Sequence, residues 1–426
     1  MVDLIAVDTE GGTYFDPKYR MPNPREILCY CSSFVVMVKH PRDQQVDDYR
    51  YMTLQLAHFS VKEYLTTRPL DDIIGRNFQN VVAQGAMATV CLAYLLQFEH
   101  AVGVEDSVRL YPFRVYCIMY WTTFARAAES TDPKVRGFIE NFLNKKETFH
   151  SLLEHRSRVY HSLANNKSVV SPLYFASHAG LVHAVQYLLD SGADIDTLRG
   201  AGVVGTALQV ACFEGHEAIV ERLLLYKADV EIGGNLWGTA LQAACAGSKE
   251  RDGIVERLIL HGANVNARGG YYGFALQAAC LNGYENIVKR LILHGANVNA
   301  QGGQHRSALR AACFGGHERI VRLLLSKGAN VNEPDDDRTA LEHACAGGYE
   351  GIVKLLINHG ADTNSQGSGS PLALAIVNGH PQIVDYLMRH GTKNGEWDPA
   401  TLATWDVLSH IGYATKTAVD INDNHL

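Results

Sequence analysis

The sequence predicts a mainly α-helical protein, a solenoid of repeated helix pairs that follows a small helix and hairpin module and a helical connector. Two observations carry this prediction. A short motif returns at nearly constant spacing through the second half of the chain, whereas the first half shows alternating strands and separate helix starts. The length of 426 residues exceeds one ordinary core, because domains typically hold about 100 to 200 residues. We therefore expect several folding units.

Composition indicates a soluble globular protein without affinity for polyanions. Hydrophobic residues make up 47% and charged residues 19% of the chain, and the formal net charge of -7 leaves no basic surplus for nucleic acid or anionic lipid. The most apolar stretch, residues 81–96, is shorter than the ~20 residues that span a bilayer. We interpret it as a buried helix and expect no membrane partner.

The cysteine content and the N-terminal residues indicate the cellular compartment in which the protein is expected. The chain holds nine cysteines, and its first residues show neither a positive leader nor an apolar segment typical of secretion. Free thiols are typical of reducing compartments. We expect a cytoplasmic protein, with a nuclear location left open.

Seven copies of one motif predict the architecture of the second half. Representative copies read GTALQVACFEG from residue 205, GTALQAACAG from residue 238 and RTALEHACAGG from residue 338. Their equivalent leucines are 31 to 35 residues apart. These leucines are Leu173, Leu208, Leu241, Leu276, Leu309, Leu341 and Leu372. Such a period is typical of units that contain two short helices and a loop.

The residue spacing within each copy predicts a pair of helices. Leu208, Ala211 and Cys212 share one helical face, and Gly215 follows them as a turn. Gly262 lies just past the end of a second helix, where a positive φ is favoured. One unit cannot bury its own apolar face, so neighbouring units must stack.

These motifs resemble the ankyrin-repeat family over roughly residues 168–392. The sequence segments GTALQAAC, IV, GANVNA and GG are also similar to those in the repeat arrays of fungal NACHT-type receptors. The resemblance implies a rod whose variable loop tips, here called fingers, and whose first or inner helices face a protein partner. It implies no cofactor.

The first half contains a predicted hairpin. FVVMVKH from residue 34 and YMTLQLAH from residue 51 alternate like paired strands. A helix start follows at Ser60, with Glu63 completing a capping box, and another precedes the hairpin at Asn23 and Pro24. These features are similar to the winged-helix segment that follows the nucleotide-binding domain of fungal NACHT receptors.

The resemblance divides the chain into a winged-helix-like segment at 1–67, a helical connector at 68–165, the array at 168–392 and a capping or docking tail at 393–426. The chain departs from the family in one respect. No Gly-Lys-Ser or Gly-Lys-Thr occurs in it, and such a sequence ends the phosphate-binding loop of a nucleotide switch. Nucleotide-driven activity is therefore not implied.

Catalytic and metal motifs are absent from the sequence. There is no G-x-S-x-G, H-E-x-x-H or C-x-x-C. Five cysteines recur at one repeat position, namely Cys212, Cys245, Cys280, Cys313 and Cys345. Stacked layers about 8 to 10 Å apart separate them too far for one metal ion or a disulfide, so we interpret them as core residues. We expect no catalytic, cofactor or metal-binding residue, and no enzyme activity.

DNA binding by the winged-helix-like segment is a weaker alternative. Its best recognition helix offers only Lys62 and Arg68 among many acids, whereas DNA readout needs clustered basic residues. We expect no nucleic-acid partner.

The predicted partner-binding residues occupy the finger tips. They are Leu198, Arg199, Asn235, Trp237, Tyr271, Tyr272, Gln304, His305, Asp336 and Asp337. Aromatic and arginine side chains are enriched in binding hot spots. A structural alternative stays open for Trp237 and Tyr272, which precede a repeat start and could cover the next inner helix.

The resulting hypothesis is a non-enzymatic scaffold that captures a protein partner through its fingers and inner helices. One alternative is the sensor arm of a fungal NACHT-type recognition or incompatibility receptor. Another is an accessory protein of a biosynthetic pathway. The sequence leaves the partner, the pathway and the oligomeric state open.

Overall fold

The structure, a computed structural model, divides the chain into two compact units, Met1–Ala201 and Gly202–Leu426. It describes residues 7–8, 14–15, 35–39, 52–56, 80–96, 112–150, 153, 170–197, 205–233, 236–248, 251–333, 338–364 and 370–390. The described part is mainly helical and contains the expected repeat solenoid, which confirms the predicted fold class. The domain boundaries proposed from sequence stay predictions.

Two short antiparallel strand pairs belong to the first unit. β1 (Val7–Asp8) pairs with β2 (Tyr14–Phe15), and β3 (Val35–Lys39) pairs with β4 (Met52–Leu56). The second pair is the hairpin that the alternating sequence predicted. The helix starts at Pro24 and Ser60 lie outside the described residues, so the winged-helix assignment stays a prediction.

The first unit also contains five helices whose bounds lie within the described residues, and residues 146–150 are helical as well. The five helices are α1 (Asn80–Leu95), α2 (Pro112–Ala128), α3 (Pro133–Asn144), α4 (Pro172–Ala179) and α5 (Val182–Asp190). α1 contains the apolar stretch predicted to be a buried helix, and its Cys91 and Leu92 are fully buried. α4 and α5 form the first repeat pair, and they pack against α2 and α3.

Aromatic rings join the first repeat pair to the connector. Trp121 of α2 is fully buried and stacks on Phe175 of α4 at 5.9 Å between ring centroids. Phe142 meets the Trp121 ring edge-on at 5.3 Å, and Phe149 meets Phe175 in the same way at 5.3 Å. Such pairs contribute about 0.5 to 1.5 kcal/mol each beyond their area burial. The first repeat pair therefore shares an aromatic core with the helices of the connector.

A buried carboxyl caps the start of α5. Glu129, which follows α2, is 3% exposed, and its Oε1 accepts a hydrogen bond from the backbone N–H of His183 at 3.3 Å. Burial raises the pKa of Glu129 to about 7, although backbone N–H groups of the first turn of α5 oppose the shift. Its other oxygen is buried without a hydrogen-bond partner. The contact between connector and repeat is therefore sensitive to protonation.

The described part of the second unit holds six helix pairs in series. The inner helices are α6 (Ala207–Glu214), α8 (Ala240–Ala246), α10 (Ala275–Asn282), α12 (Ala308–Gly315), α14 (Ala340–Gly347) and α16 (Pro371–Val377). The outer helices are α7 (Glu217–Leu225), α9 (Asp252–Leu260), α11 (Glu285–Leu293), α13 (Glu318–Ser326), α15 (Glu350–Asn358) and α17 (Pro381–His390). Each inner helix packs against the next inner helix along the series.

The repeated residues build this stack. The six motif leucines of this unit are at most 2% exposed, as is Leu173 in the first unit, and the five motif cysteines are buried. Burial raises the pKa of the Cys245 and Cys280 thiols far above their ordinary value. The cysteines are thus inert core residues, as the spacing argument predicted.

Turn geometry also follows the sequence. Gly215 and Gly262 have φ values of 82° and 88°, in the left-handed region that favours glycine. Lys227 takes the place of such a glycine and still adopts a φ of 64°, a conformation that costs an L-residue roughly 1 to 2 kcal/mol.

Candidate protein-binding surface

The fingers are anchored to the inner helices by buried glutamines. Gln242 is 1% exposed, and its side-chain amide donates to the carbonyl oxygens of Ala267 and Gly273, both at 2.9 Å. Its Oε1 accepts from the backbone N–H of Thr239 at 2.7 Å, which completes a capping box. Gln209 makes the equivalent bonds one repeat earlier. Each glutamine therefore fixes the finger beside its helix.

The repeat pair that starts with α10 keeps the bonds from its glutamine to the finger but lacks the capping bond. In the pair that starts with α10, Phe274 replaces the capping threonine, and no side chain caps the helix. Gln277 still donates to Ala300 and Arg306, at 3.0 and 2.8 Å. Its Oε1, however, is buried without a hydrogen-bond partner.

Asparagines link successive fingers at their bases. Asn266 donates to the carbonyl oxygen of Gly295 at 2.9 Å and accepts from the backbone N–H of Asn297 at 2.8 Å. Asn299 repeats both bonds one finger later, with Gly328 at 3.0 Å and Asn330 at 2.8 Å. The second asparagine of the ANVNA sequence therefore joins each finger to the next.

The tips of three successive fingers are joined through their backbones. The N–H of Tyr271 donates to the carbonyl oxygen of Leu236 at 2.7 Å, and the N–H of Gln304 donates to that of Tyr271 at 3.0 Å. Paired glycines permit this approach. A Cβ at Gly270 would lie 2.6 Å from the backbone nitrogen of Gly238, and one at Gly303 would lie 2.2 Å from the carbonyl of Tyr272. We call Leu236, Tyr271 and Gln304 the finger strip.

The finger strip presents apolar and aromatic side chains to solvent. Leu236 and Tyr271 are each 44% exposed, and Gln304 is exposed. Tyr272 is half-buried, and its ring is edge-on to that of Tyr271 at 5.2 Å between centroids. Burial raises the pKa of the Tyr272 phenol. Of the two predicted tyrosines, Tyr271 is therefore the more accessible.

Trp237 follows Leu236 in the same finger and packs on an inner helix. Its ring stacks on Phe213 of α6, with centroids 4.8 Å apart and planes 16° from parallel. The open structural alternative placed Trp237 on the inner helix of the following repeat, whereas the stacking partner belongs to the preceding one. Trp237 thus combines a packing role with partial exposure.

A second aromatic group involves a residue that the sequence argument missed. Phe314, near the end of α12, is 53% exposed, and its ring lies 4.8 Å from that of His305 and 5.4 Å from that of His343. Phe213 occupies the same repeat position. The available signal was a phenylalanine directly after the motif cysteine, where other copies have alanine or leucine.

The remaining predicted contact residues have no described placement. Leu198, Arg199, Asn235, Asp336 and Asp337 lie outside the described residues. Trp237, Tyr271, Tyr272, Gln304 and His305 all lie in described fingers.

The repeated histidines and tyrosines between the helices of each pair contact backbone carbonyls. His317 Nε2 lies 2.9 Å from the carbonyl oxygen of Leu281, and the Tyr284 hydroxyl donates to that of Gly247 at 2.5 Å. Within the described residues, no group of three or more His, Cys, Asp or Glu side chains is arranged to hold a metal ion. No helix among them is both long and apolar enough to cross a membrane.

Comparison with known proteins finds a family model and a fungal relative that match the repeats. A family model described as ankyrin repeats (3 copies) matches overlapping segments from residue 140 to residue 398. Azaphilone pigments biosynthesis cluster protein L of Monascus ruber is 24% identical over 255 residues, which cover 54% of this chain and 52% of that protein. The chain thus spans about half the length of this relative.

Plant and human proteins match shorter parts of the chain. Probable E3 ubiquitin-protein ligase XBOS33 of Oryza sativa subsp. japonica is 41% identical over 75 residues, 17% of this chain and 14% of that protein. The crystal structure of the human ASB11 ankyrin repeat domain is 24% identical at a TM-score of 0.41, covering 48% of this chain and 92% of that one.

Proposed function

This chain belongs to the ankyrin-repeat family, and from that premise we propose that it captures a protein partner along its finger strip and the adjoining inner-helix aromatics. Ankyrin repeats serve as protein interaction scaffolds, so a binding role is the general expectation. The partner site itself rests on the fingers of this chain.

The observation that carries the proposal is an exposed tyrosine held by a rigid backbone. Tyr271 is fixed through its own N–H and carbonyl to the two neighbouring tips, yet the residue is 44% exposed. Preorganised aromatic side chains bind with little loss of conformational entropy. Phe314 adds a second exposed ring within the same unit. Together they supply the anchors that protein interfaces commonly use.

The test compares two equally exposed tyrosines in affinity capture from native cells. We expect Tyr271→Ala and Phe314→Ala, separately, to lose partners that the wild-type chain retains, because each truncation removes an exposed ring from the site. Tyr120→Ala is the matched control, since Tyr120 is 42% exposed and lies on α2 in the other unit. Thermal unfolding should shift little in all three variants. Equal capture by Tyr271→Ala and wild type would contradict the proposal.

A second candidate function is an accessory role in a biosynthetic pathway. It is favoured by the similarity to a protein named for an azaphilone pigment biosynthesis cluster. Disruption of the coding sequence, followed by metabolite profiling, tests this role. An unchanged profile under conditions in which the protein is made would count against it.

A role as the sensor arm of a NACHT-type receptor is the third candidate. The β3 and β4 hairpin supports it, because the hairpin occupies the strands predicted for the winged-helix-like segment. Sequencing transcripts through the 5′ side of this coding region tests it. An in-frame segment that encodes a phosphate-binding loop is the expected result for a receptor.

A further inference from the structure

Three exposed leucines occupy one position in three successive outer helices. Leu225, Leu260 and Leu293 are the last residues of α7, α9 and α11, and their exposed fractions are 70%, 72% and 82%. Neighbouring layers lie about 8 to 10 Å apart, so the three side chains form one row on the outer helices. We call this row the leucine ladder.

The ladder is confined to these three repeats. The same position holds Ser326, Asn358 and Arg389 in the last three pairs, and Asp190 in the first. Leucine at a position that other copies fill with polar residues is therefore a local feature and no requirement of the repeat. Contiguous exposed apolar groups in soluble proteins mark interaction surfaces.

The charges beside the ladder differ between its two ends. α7 carries two acids and one arginine, whereas α11 carries one acid, one lysine and one arginine. Glu221 is exposed at the first end. At the other end the side chain of Lys289 is 54% exposed, and it forms an ion pair with Glu285 of the same helix at 2.6 Å. Glu221 and Lys289 each lie four positions before the ladder leucine of their helix. The ladder thus has an acidic end and a basic end.

Such a surface is complementary to itself. We propose that the leucine ladder is the interface of a two-fold symmetric dimer, with a second copy of this chain running antiparallel across it. In a two-fold interface, residue i contacts residue j of the partner and residue j contacts residue i, so only a residue on the axis meets its own copy. Leu260 lies at the axis, Leu225 meets the partner's Leu293, and Glu221 comes near the partner's Lys289. A parallel arrangement would instead place like charges together.

Ion pairs within each chain reduce the charge repulsion between the two α9 helices that meet at the axis. Glu256 of α9 forms an ion pair with Arg290, and Arg257 pairs with Glu217 at 3.2 Å. These pairs lie within one chain, so they reduce the repulsion between the two α9 helices. A stable interface typically buries ~800 Å² per partner. Three leucines supply only part of this area, so we expect a reversible dimer with a dissociation constant on the order of micromolar.

Sedimentation of the full chain between roughly 1 and 100 μM, a range that brackets a micromolar constant, tests the proposal. The expected result is a reversible monomer and dimer equilibrium. Leu260→Glu should weaken it at least about 100-fold, because two carboxylates meet at the axis. Val377→Glu, at a 69% exposed residue of an inner helix, should leave it unchanged. Circular dichroism checks that both variants fold.

Charge reversal separates the antiparallel dimer from other arrangements. Glu221→Lys alone and Lys289→Glu alone should each weaken the dimer several-fold, roughly as expected for rim charges. The double variant should regain most of the affinity. A wild-type chain that stays monomeric, a dimer that survives Leu260→Glu, or charge effects that simply add would each overturn the proposal. A monomer whose ladder binds a helix of a different protein would also overturn it.

Discussion

Two of the buried glutamines, Gln242 and Gln277, provide a direct test of how the fingers are held. Both lie at the same repeat position, and they are 1% and 2% exposed. We consider Gln242→Met and Gln277→Met, since methionine keeps the length of the side chain and removes its hydrogen bonds. The two variants differ in the bonds that they lose.

The expected loss in free energy of unfolding follows from the hydrogen bonds that each variant removes. Gln242→Met loses three hydrogen bonds, to Thr239, Ala267 and Gly273, so the free energy of unfolding should fall by about 3 kcal/mol at about 1 kcal/mol each. Gln277→Met loses two bonds but also removes a buried oxygen without a partner, whose burial costs about 1 to 3 kcal/mol. The net change at Gln277 should therefore lie between a loss and a gain of about 1 kcal/mol.

Urea unfolding followed by circular dichroism measures the difference. With a slope of roughly 3 kcal/mol per molar urea, Gln242→Met should move the midpoint down by about 1 M, whereas Gln277→Met should move it by less than half of that in either direction. Equal midpoints for the two variants would refute the reasoning, because the Thr239 bond and the orphan oxygen would then contribute nothing. Far-UV circular dichroism before unfolding controls for a changed fold.

Three further predictions follow from other parts of the chain. Gly270→Ala should lower the melting temperature much more than Gly295→Ala: both glycines have positive φ, but only at Gly270 would the methyl group meet backbone atoms within 3.0 Å, and overpacking costs about 1 to 3 kcal/mol more. Because the pKa of Glu129 is raised to about 7, the stability that its carboxyl contributes should be fully present below the unfolded carboxyl pKa of ~4.3 and be lost as the pH rises toward about 7; over this range the wild type should therefore lose more stability than Glu129→Gln in urea titrations followed by circular dichroism. Cys280, fully buried with a raised thiol pKa, should resist alkylation at pH 8 in the native chain and react in urea, so reaction at equal rates in both conditions would contradict its placement in the core.

The repeat fold was predictable because its signal is local and periodic. Each motif places its leucine, alanine and cysteine on one helical face, and the helices occur where the pattern predicted them. Leu208 and Leu372, at opposite ends of the second unit, are each 1% exposed. The hairpin of β3 and β4 was equally visible, because strand alternation depends on neighbouring residues only.

The candidate surface was predictable only in part. Fingers could be located from the repeat boundaries. Of the three aromatic residues predicted at their tips, Tyr271 is exposed, whereas Trp237 and Tyr272 are half-buried. The stacking of Trp237 on Phe213 joins residues 24 positions apart, and no local pattern specifies such a contact. Phe314 went unnoticed because its helix reads as ordinary core, and exposure depends on which face the neighbouring repeats leave uncovered.

The sequence alone determined the period, the helix pairs, the positions of the turns and the residues of the core, since each follows from side-chain type at a fixed spacing along the chain. The tertiary structure decided the rest. It decided which finger glycines lie against a neighbouring backbone, which glutamine oxygen has no partner, and that three leucines far apart in sequence form one exposed row. The physical reason is that burial and close approach are properties of stacked repeats, and a single repeat does not contain them.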